Sequence, residues 1–304
     1  MIVNAATLSG MNVQIQKDFQ AALVARGTKL DMIAARVPSG TTSNKYPLGG
    51  LTGAMREWVG DREAQNIVAY IETVKNLKYE QTLGVPRDDI EDDQVGWITT
   101  VVQQMAYEGV AHPWREAITA LMTNGFSTDY PTQDGVAFFS ATHAWAQSAY
   151  TSAQVNLTNE ALDEAAVYTG LQFFDEVKGP NGNVLGYEPD VFLAAANIRS
   201  TAEQLFLQAT QAAGESNPLF GRFPRENIII GHGIPDGYWS MLCTAAPIKP
   251  MVVQERRPFA MTALTDLTAE NVFLRDEFLW GTDYRGAVAP IAWWLAYGST
   301  GDGG

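Results

Sequence analysis

The chain has 304 residues, 46% apolar and 11% aromatic, and carries a formal net charge of −14. Such a composition supports a substantial core in one large or two moderate domains. The acidic balance argues against tight direct binding of nucleic acid, which depends on clustered Lys and Arg.

In chain order, Met11, Ile15, Phe19 and Leu23 recur every four residues and predict a helix over 8–26, ended by Gly27. Residues Pro38 to Gly53, rich in Ser, Thr, Gly and Pro, read as loop. Two β-prone runs follow, Val68 to Val74 and Leu77 to Leu83, with Lys75-Asn76 placed to turn between them. The expectation is an extended hairpin, too short and polar to stand alone in water. The acidic run Asp88 to Asp93 precedes a long helix and suits its positive N-terminal end. Val95, Ile98, Val102, Met105 and Gly109 share one face of that helix; Pro113 is expected to kink it, and Ile118, Leu121 and Met122 carry the stripe to Asn124-Gly125.

Residues 126–156 read as loop with short strands around Val136 to Phe139. A helix is expected from Glu160 to Val177, capped by Thr158 or Asn159 and closed by Lys178-Gly179-Pro180, before a turn at Asn181-Gly182. Val191 to Ala196 and Ile228 to Ile230 read as buried strands, with a helix from Ile198 to Ala213 between them. Beyond Pro247 the chain is β-rich, through Met251 to Val253, Val272 to Leu274 and the aromatic segment 276–299. That last segment is too apolar to face water and must lie in the core or against another subunit. Gly298 to Gly304 reads as a frayed tail.

Charge is uneven. From Glu116 to Ile198 there are ten acidic residues and a single base, Lys178. This suits head-to-tail packing of unlike surfaces, or simply a solvated acidic face. A low charged fraction of 18% and eight Trp fit either a large core or extensive subunit contact. Cys243, the only cysteine, allows no intrachain disulfide and fits a reducing compartment. Neither a secretory leader nor an apolar run long enough for a membrane helix is evident, so synthesis in the cytosol is expected.

Signs of catalysis fail one by one. Gly231-His232-Gly233-Ile234-Pro235-Asp236-Gly237 has the wrong spacing for a dinucleotide loop and reads as a turn. His112 and Glu116 stand four apart on a helix, yet the chain has only three His and no dense carboxylate partner is visible nearby. His143 lacks a diagnostic nucleophile or acid, and the Asp88 to Asp93 run lacks the glycine turn of a calcium loop. Cys243, in an apolar setting, reads as an inert buried thiol. No catalytic residue, cofactor or metal is expected, and the chain reads as a non-enzyme. Arg56, Trp58, Asp61 and Arg62 are the candidate contact residues between subunits, because interfaces favour Trp and Arg anchors; a local salt-bridged turn is the other reading.

Five stretches carry a resemblance, in order along nearly the whole chain: Arg56-Glu57-Trp58-Val59-Gly60-Asp61-Arg62, Gly84 to Asp93, Phe138-Phe139-Ser140-Ala141-Thr142-His143, Glu270-Asn271-Val272-Phe273-Leu274, and Arg285-Gly286 through Ser299. Together they resemble the Mu-like phage major head subunit, the T protein family. That resemblance implies an α+β chain with the Hong Kong 97-type capsid fold. It further implies an N-terminal arm over 1–53, an extended hairpin loop over 54–86, a peripheral domain from 87–126 and 246–304 with the spine helix, and an axial domain over 127–245. The implied function is a major capsid protein that assembles with itself into pentamers, hexamers and an icosahedral shell around double-stranded DNA, in the virion of a tailed phage or prophage. Assembly would take place in the host bacterial cytoplasm, with scaffold, portal and decoration proteins as further partners and no membrane. An encapsulin-like compartment shell is the alternative.

Overall fold

A computed structural model of the chain describes residues 5–25, 29–48, 70–92, 97–145, 150–211 and 214–302. The chain opens with α1 (Ala5–Ala25), whose Leu8, Ile15 and Phe19 are buried and whose Met11 packs beside them. The four-residue spacing read from the sequence thus gives one buried stripe. The short α2 (Leu30–Ile33) leads into β1 (Ala34–Pro38) and β2 (Ser43–Pro47), so part of the expected loop is strand.

β3 (Ile71–Lys75) and β4 (Leu77–Pro86) do follow one another, but they do not pair as a hairpin. β3 runs antiparallel to β2, and β4 runs antiparallel to a later strand, β10 (Glu277–Pro290). Asn76 explains the crossover. Its backbone N–H donates to Thr42 O at 2.9 Å, its Nδ2 donates to Ser39 Oγ at 2.8 Å and Thr41 O at 2.9 Å, and its Oδ1 accepts from Gln254 Nε2 at 2.7 Å. A hairpin turn would strand these buried polar groups, whereas the crossover satisfies all of them.

The acidic residues 88–92 lie within a short helix of their own, α3 (Arg87–Asp92), which places Asp88 and Asp89 in its first turn. The long α4 (Trp97–Met122) stays helical across Pro113 and spans about 39 Å at 1.5 Å per residue. Its two halves serve different cores. Ile98, Val102 and Ala106 pack with Leu8, Ile15, Phe19, Val85, Phe278 and Trp280, while Ala117, Ile118, Leu121 and Met122 join the larger core.

Residues 127–145 hold turns rather than the expected strand around Val136 to Phe139. β5 (Leu157–Thr158) and α5 (Glu164–Glu176) come next. Asp163, not Thr158 or Asn159, caps α5: its carboxylate accepts from Ala166 N at 2.7 Å. β6 (Val191–Ala195) is wholly buried, α6 (Arg199–Leu207) stops short of Ala213, and β7 (Ile228–Gly231) and β8 (Trp239–Leu242) follow. Asn181-Gly182 does form a tight reversal, with Gly182 at φ 79° and an antiparallel bridge from Lys178 to Val184.

The β-rich close is a long pair, β9 (Met251–Leu264) with β10, capped by α7 (Glu270–Arg275). Val272 to Leu274 is therefore helix, not strand. Asn271 fixes it by donating from Nδ2 to Leu264 O at 3.2 Å and Glu277 O at 2.7 Å, which ties the helix between the two strand ends. The last strand, β11 (Ala296–Ser299), is buried, so Gly298 and Ser299 belong to a sheet and not to a frayed tail.

Among the described residues the strands form three sheets: β1-β9-β10-β4, β5-β11-β8-β6-β7, and the ribbon β2-β3. Helices and sheets are thus segregated in an α+β arrangement. The five-stranded sheet carries the larger core, and the four-stranded sheet carries α1 and the first half of α4.

Candidate assembly surface

Arg56, Trp58, Asp61 and Arg62 lie outside the described residues, but the base from which their segment springs is defined. β2 and β3 pair from Ser43↔Lys75 to Pro47↔Ile71, and Leu48 N donates to Tyr70 O at 2.6 Å. Leu48, Tyr70 and Val74 are buried in the larger core, with the Tyr70 ring 5.1 Å from Trp145. Tyr46 OH donates to Gln254 Oε1 at 2.8 Å, pinning the ribbon to β9. Segment 49–69 is therefore launched and received by an anchored ribbon, not by a free loop.

Beside this ribbon is a cavity of about 320 Å³ between β3, α4, residues 130–132 and the end of β10. Glu72, Lys75, Tyr79, Glu116, Tyr130 and Pro290 help to line it. Glu72 Oε2 is buried without a hydrogen-bond partner, as is the neighbouring Gln133 Oε1. Burial pushes the Glu72 carboxyl up to about 7, against the pull of backbone N–H groups at Gln133 and Thr73 and with help from the Asp134 charge.

His112 and Glu116 face an aromatic seam. The His112 ring lies 4.1 Å from Tyr79, Tyr79 OH donates to Glu116 Oε2 at 3.2 Å, and Tyr284 stacks on Phe259 at 5.3 Å. Gly109 makes the seam possible, since a Cβ there would come within 2.9 Å of the Phe259 ring. Burial lowers the His112 pKa and pushes the Tyr79 and Tyr284 hydroxyls up to about 12. Among the described residues no group of three His, Cys, Asp or Glu side chains converges as a metal site would require.

His143 has an acid partner that sequence spacing did not announce. Its Nδ1 lies 2.7 Å from Asp134 Oδ2, its Nε2 lies 3.0 Å from Phe138 O, and its ring stacks on Trp293 at 4.2 Å and 2°. Both nitrogens are occupied and the ring is fully buried, so it clamps structure. For Asp134, burial favours the neutral acid, but hydrogen bonds from His143 and the Thr132 hydroxyl outweigh it and hold the carboxyl below its ordinary value. Asn156 completes the clamp, donating from Nδ2 to Phe138 O at 2.9 Å and to Trp293 O and Ala296 O, each at 3.2 Å.

Cys243 is buried and burial raises its thiol pKa, which leaves little thiolate. Residues 231–237 form a turn with Gly233 at φ 85° and Gly237 at φ 82°, as the sequence suggested. Exposed large apolar side chains are scattered over the described residues, and the most exposed of them, Phe273 at 85%, lies at the end of the β9–β10 pair.

Comparison with known proteins gives a consistent result. Residues 8–168 and 224–302 match the family described as Mu-like prophage major head subunit gpT. The chain is 28% identical over 302 residues to the major capsid protein of Escherichia phage Mu, covering 99% of this chain and 76% of that one. It is 24% identical over 285 residues to the Mu-like prophage FluMu major head subunit of Haemophilus influenzae, covering 94% and 70% respectively. Among solved structures it superposes on the procapsid of bacteriophage JBD30 with a TM-score of 0.60 at 24% identity, over 98% of this chain and 76% of that chain.

Proposed function

The chain belongs to the Mu-like prophage major head subunit gpT family, and from that premise we propose how it builds a shell. It is a major capsid protein with the Hong Kong 97-type fold, and its self-assembly forms the capsid of the virion. The encapsulin-like alternative is not favoured, because the family match names head subunits. A structural role of this kind calls for no enzymatic step.

Copies join as pentamers and hexamers through segment 49–69, with Arg56, Trp58, Asp61 and Arg62 as contacts on a neighbouring copy. The observation that carries this is the anchored β2–β3 ribbon, which fixes both ends of the segment while its Trp and Arg supply anchors suited to an interface. In this reading residues 1–53 are the arm, 54–86 the extended loop, 87–126 with 246–304 the peripheral domain, and 127–245 the axial domain. The burial of α1 against α4 favours an arm that begins on its own subunit, and the pairing of β11 with β8 favours a terminal strand lent to the axial sheet. The shell assembles in the host cytoplasm and encloses double-stranded DNA, with scaffold, portal and decoration proteins as partners. A net charge of −14 lets packaged DNA move without adsorbing to the wall.

The test is electron microscopy of purified protein across a concentration series, with a Trp58→Ala/Arg62→Ala double variant alongside. Wild type should give closed particles, and the double variant should keep its circular dichroism and melting transition yet lose particles. Normal particles from the double variant would remove segment 49–69 from the interface. An unfolded variant would instead assign those side chains to the subunit's own core.

A further inference from the structure

The cavity beside the β2–β3 ribbon has a polar wall that no other group among the described residues completes. Glu72 Oε2 is a buried acceptor without a hydrogen-bond partner, and so is Oε1 of Gln133, whose backbone N–H reaches the Glu72 carboxylate. A neutral Glu72 carboxyl carries one O–H donor of its own; the carboxylate carries none, and Gln133 Oε1 can only accept. Once Glu72 ionises, the wall holds a buried charge and an excess of acceptors, which only a donor from elsewhere can satisfy.

The rest of the cavity says what kind of molecule brings that donor. Its volume of about 320 Å³ stands at the small end of the range for ligand pockets, roughly 300–1,000 Å³. A second carboxylate, Glu116, lines it from α4, its Oε2 already taking the Tyr79 hydroxyl at 3.2 Å. Leu77, Ala289 and Pro290 supply apolar wall. Among the described residues the exposed Lys75 is the only base in the lining, so an anion is disfavoured. An alkylammonium offers three donors and no acceptor, on a methylene stem that apolar walls can hold. We infer that this cavity is a binding site for a small alkyl diamine, with one ammonium donating to Glu72, the other held by Glu116, and the methylenes along Ala289 and Pro290.

Acidity gives the site a signature. Burial raises the Glu72 carboxyl to about 7, and the diamine takes the ionised form. The other charged or titratable groups around it are Lys75 on β3, Tyr79 on β4, Glu116 on α4, and Tyr130 and Asp134 beyond that helix; the end of β10 brings none. Burial pushes the Tyr79 hydroxyl up to about 12 and Asp134 lies below its ordinary value, so neither changes charge near neutrality. Apparent affinity should therefore rise about tenfold per pH unit below about pH 7 and level off above it, with a proton released on binding.

Isothermal titration calorimetry of diaminobutane into dissociated subunits of the full chain, on both sides of pH 7, tests this, with butanediol as the uncharged control. Saturable binding with the acidity profile above is expected from the diamine and none from the diol. Glu72→Gln should weaken binding roughly tenfold or more and flatten the profile. Lys75→Gln removes the one base at an exposed position, so it should fold normally and tighten binding whatever becomes of the Glu72 variant. Unsaturable uptake that follows only the net charge, unchanged affinity in Glu72→Gln, or no tightening in Lys75→Gln overturns the inference. So does binding by subunits that vanishes in particles, which would give the cavity to a side chain of a neighbouring copy.

Discussion

Residues 291–299 and residues 264–275 are both rich in large apolar side chains, yet the first set is sealed and the second stands in water. Trp293, Trp294 and Leu295 are fully buried because four neighbours close on them: the Trp145 ring at 5.1 and 4.9 Å from the two indoles, the His143 ring on Trp293, Asn156 on the backbone carbonyls, and β8 along β11. The tip has Val272 against the body and, among the described residues, nothing over Phe273. Apolar density alone therefore does not decide burial; the number of elements that converge does. One region completes the subunit, and the other is left uncovered among the described residues.

Breaking the sealed side has the largest effect. Trp293→Ala removes a fully buried indole and the face on which His143 stacks, and should cost about 3–5 kcal/mol of subunit stability, read from urea denaturation. A loss below 1 kcal/mol or so would mean that the clamp has slack, and the contrast with the tip would fade.

Adding volume to the same side should cost less. Gly170 on α5 lies against Met241 and Tyr297, and a Cβ there would overlap Met241 Cε and sit 2.7 Å from the Tyr297 ring. Both neighbours are buried, so Gly170→Ala should lose about 1–3 kcal/mol despite alanine's better helix propensity. A gain in melting temperature would show that this side packs loosely.

How much of this contrast could be read in advance depends on the element. The α1 and α4 stripes were legible because a 3.6-residue period survives wherever one helix face is buried: Ile15, Phe19, Ile98 and Val102 are all in the core. The strands β6 and β7 were legible as short apolar runs. Only the inner end of β9 was, because its residues after Gln254 are partly or fully exposed and lose the alternation that marks a strand. The crossover at Asn76 was illegible because its partners, Ser39, Thr41 and Gln254, are remote in sequence. Val272-Phe273-Leu274 carries strand-type residues, but the side chain of Asn271 bonding both flanking strands makes it a helix. The His143 to Asp134 pair was missed for a similar reason: a nine-residue spacing through irregular backbone has no periodic signature. Arg56, Trp58, Asp61 and Arg62, outside the described residues, were singled out by residue type and by the resemblance that stretch 56–62 carries.

The cavity beside the β2–β3 ribbon lies between the two extremes, and pH distinguishes it from both. The Glu72 carboxyl is raised in the folded chain from 4.5 to about 7, so the folded state binds this proton more tightly than the unfolded one. Its contribution to stability is fully present below pH 4.5 and is lost as pH rises through about 7. Wild-type subunits should weaken across that window in urea titrations, and Glu72→Gln, which stays neutral, should weaken less. Identical pH profiles would mean that the carboxyl is solvated. A profile that is flat only in assembled particles would mean that a neighbouring copy compensates the charge.

The smallest expected change sharpens the comparison most. Leu274→Ser removes a large apolar side chain, as a core truncation would, but at a position 65% exposed, so subunit stability should stay within about 0.5 kcal/mol of wild type. The reason is that Leu274 is hydrated in the folded subunit much as in the unfolded chain, so little transfer free energy is at stake. The same substitution at Leu295, which is fully buried, would place an unpaired hydroxyl in a cavity and unfold a large fraction of molecules. If Leu274→Ser proved as costly in dissociated subunits as a core truncation, another part of the same chain must cover the tip, and the division between a sealed core and an exposed tip would be drawn in the wrong place.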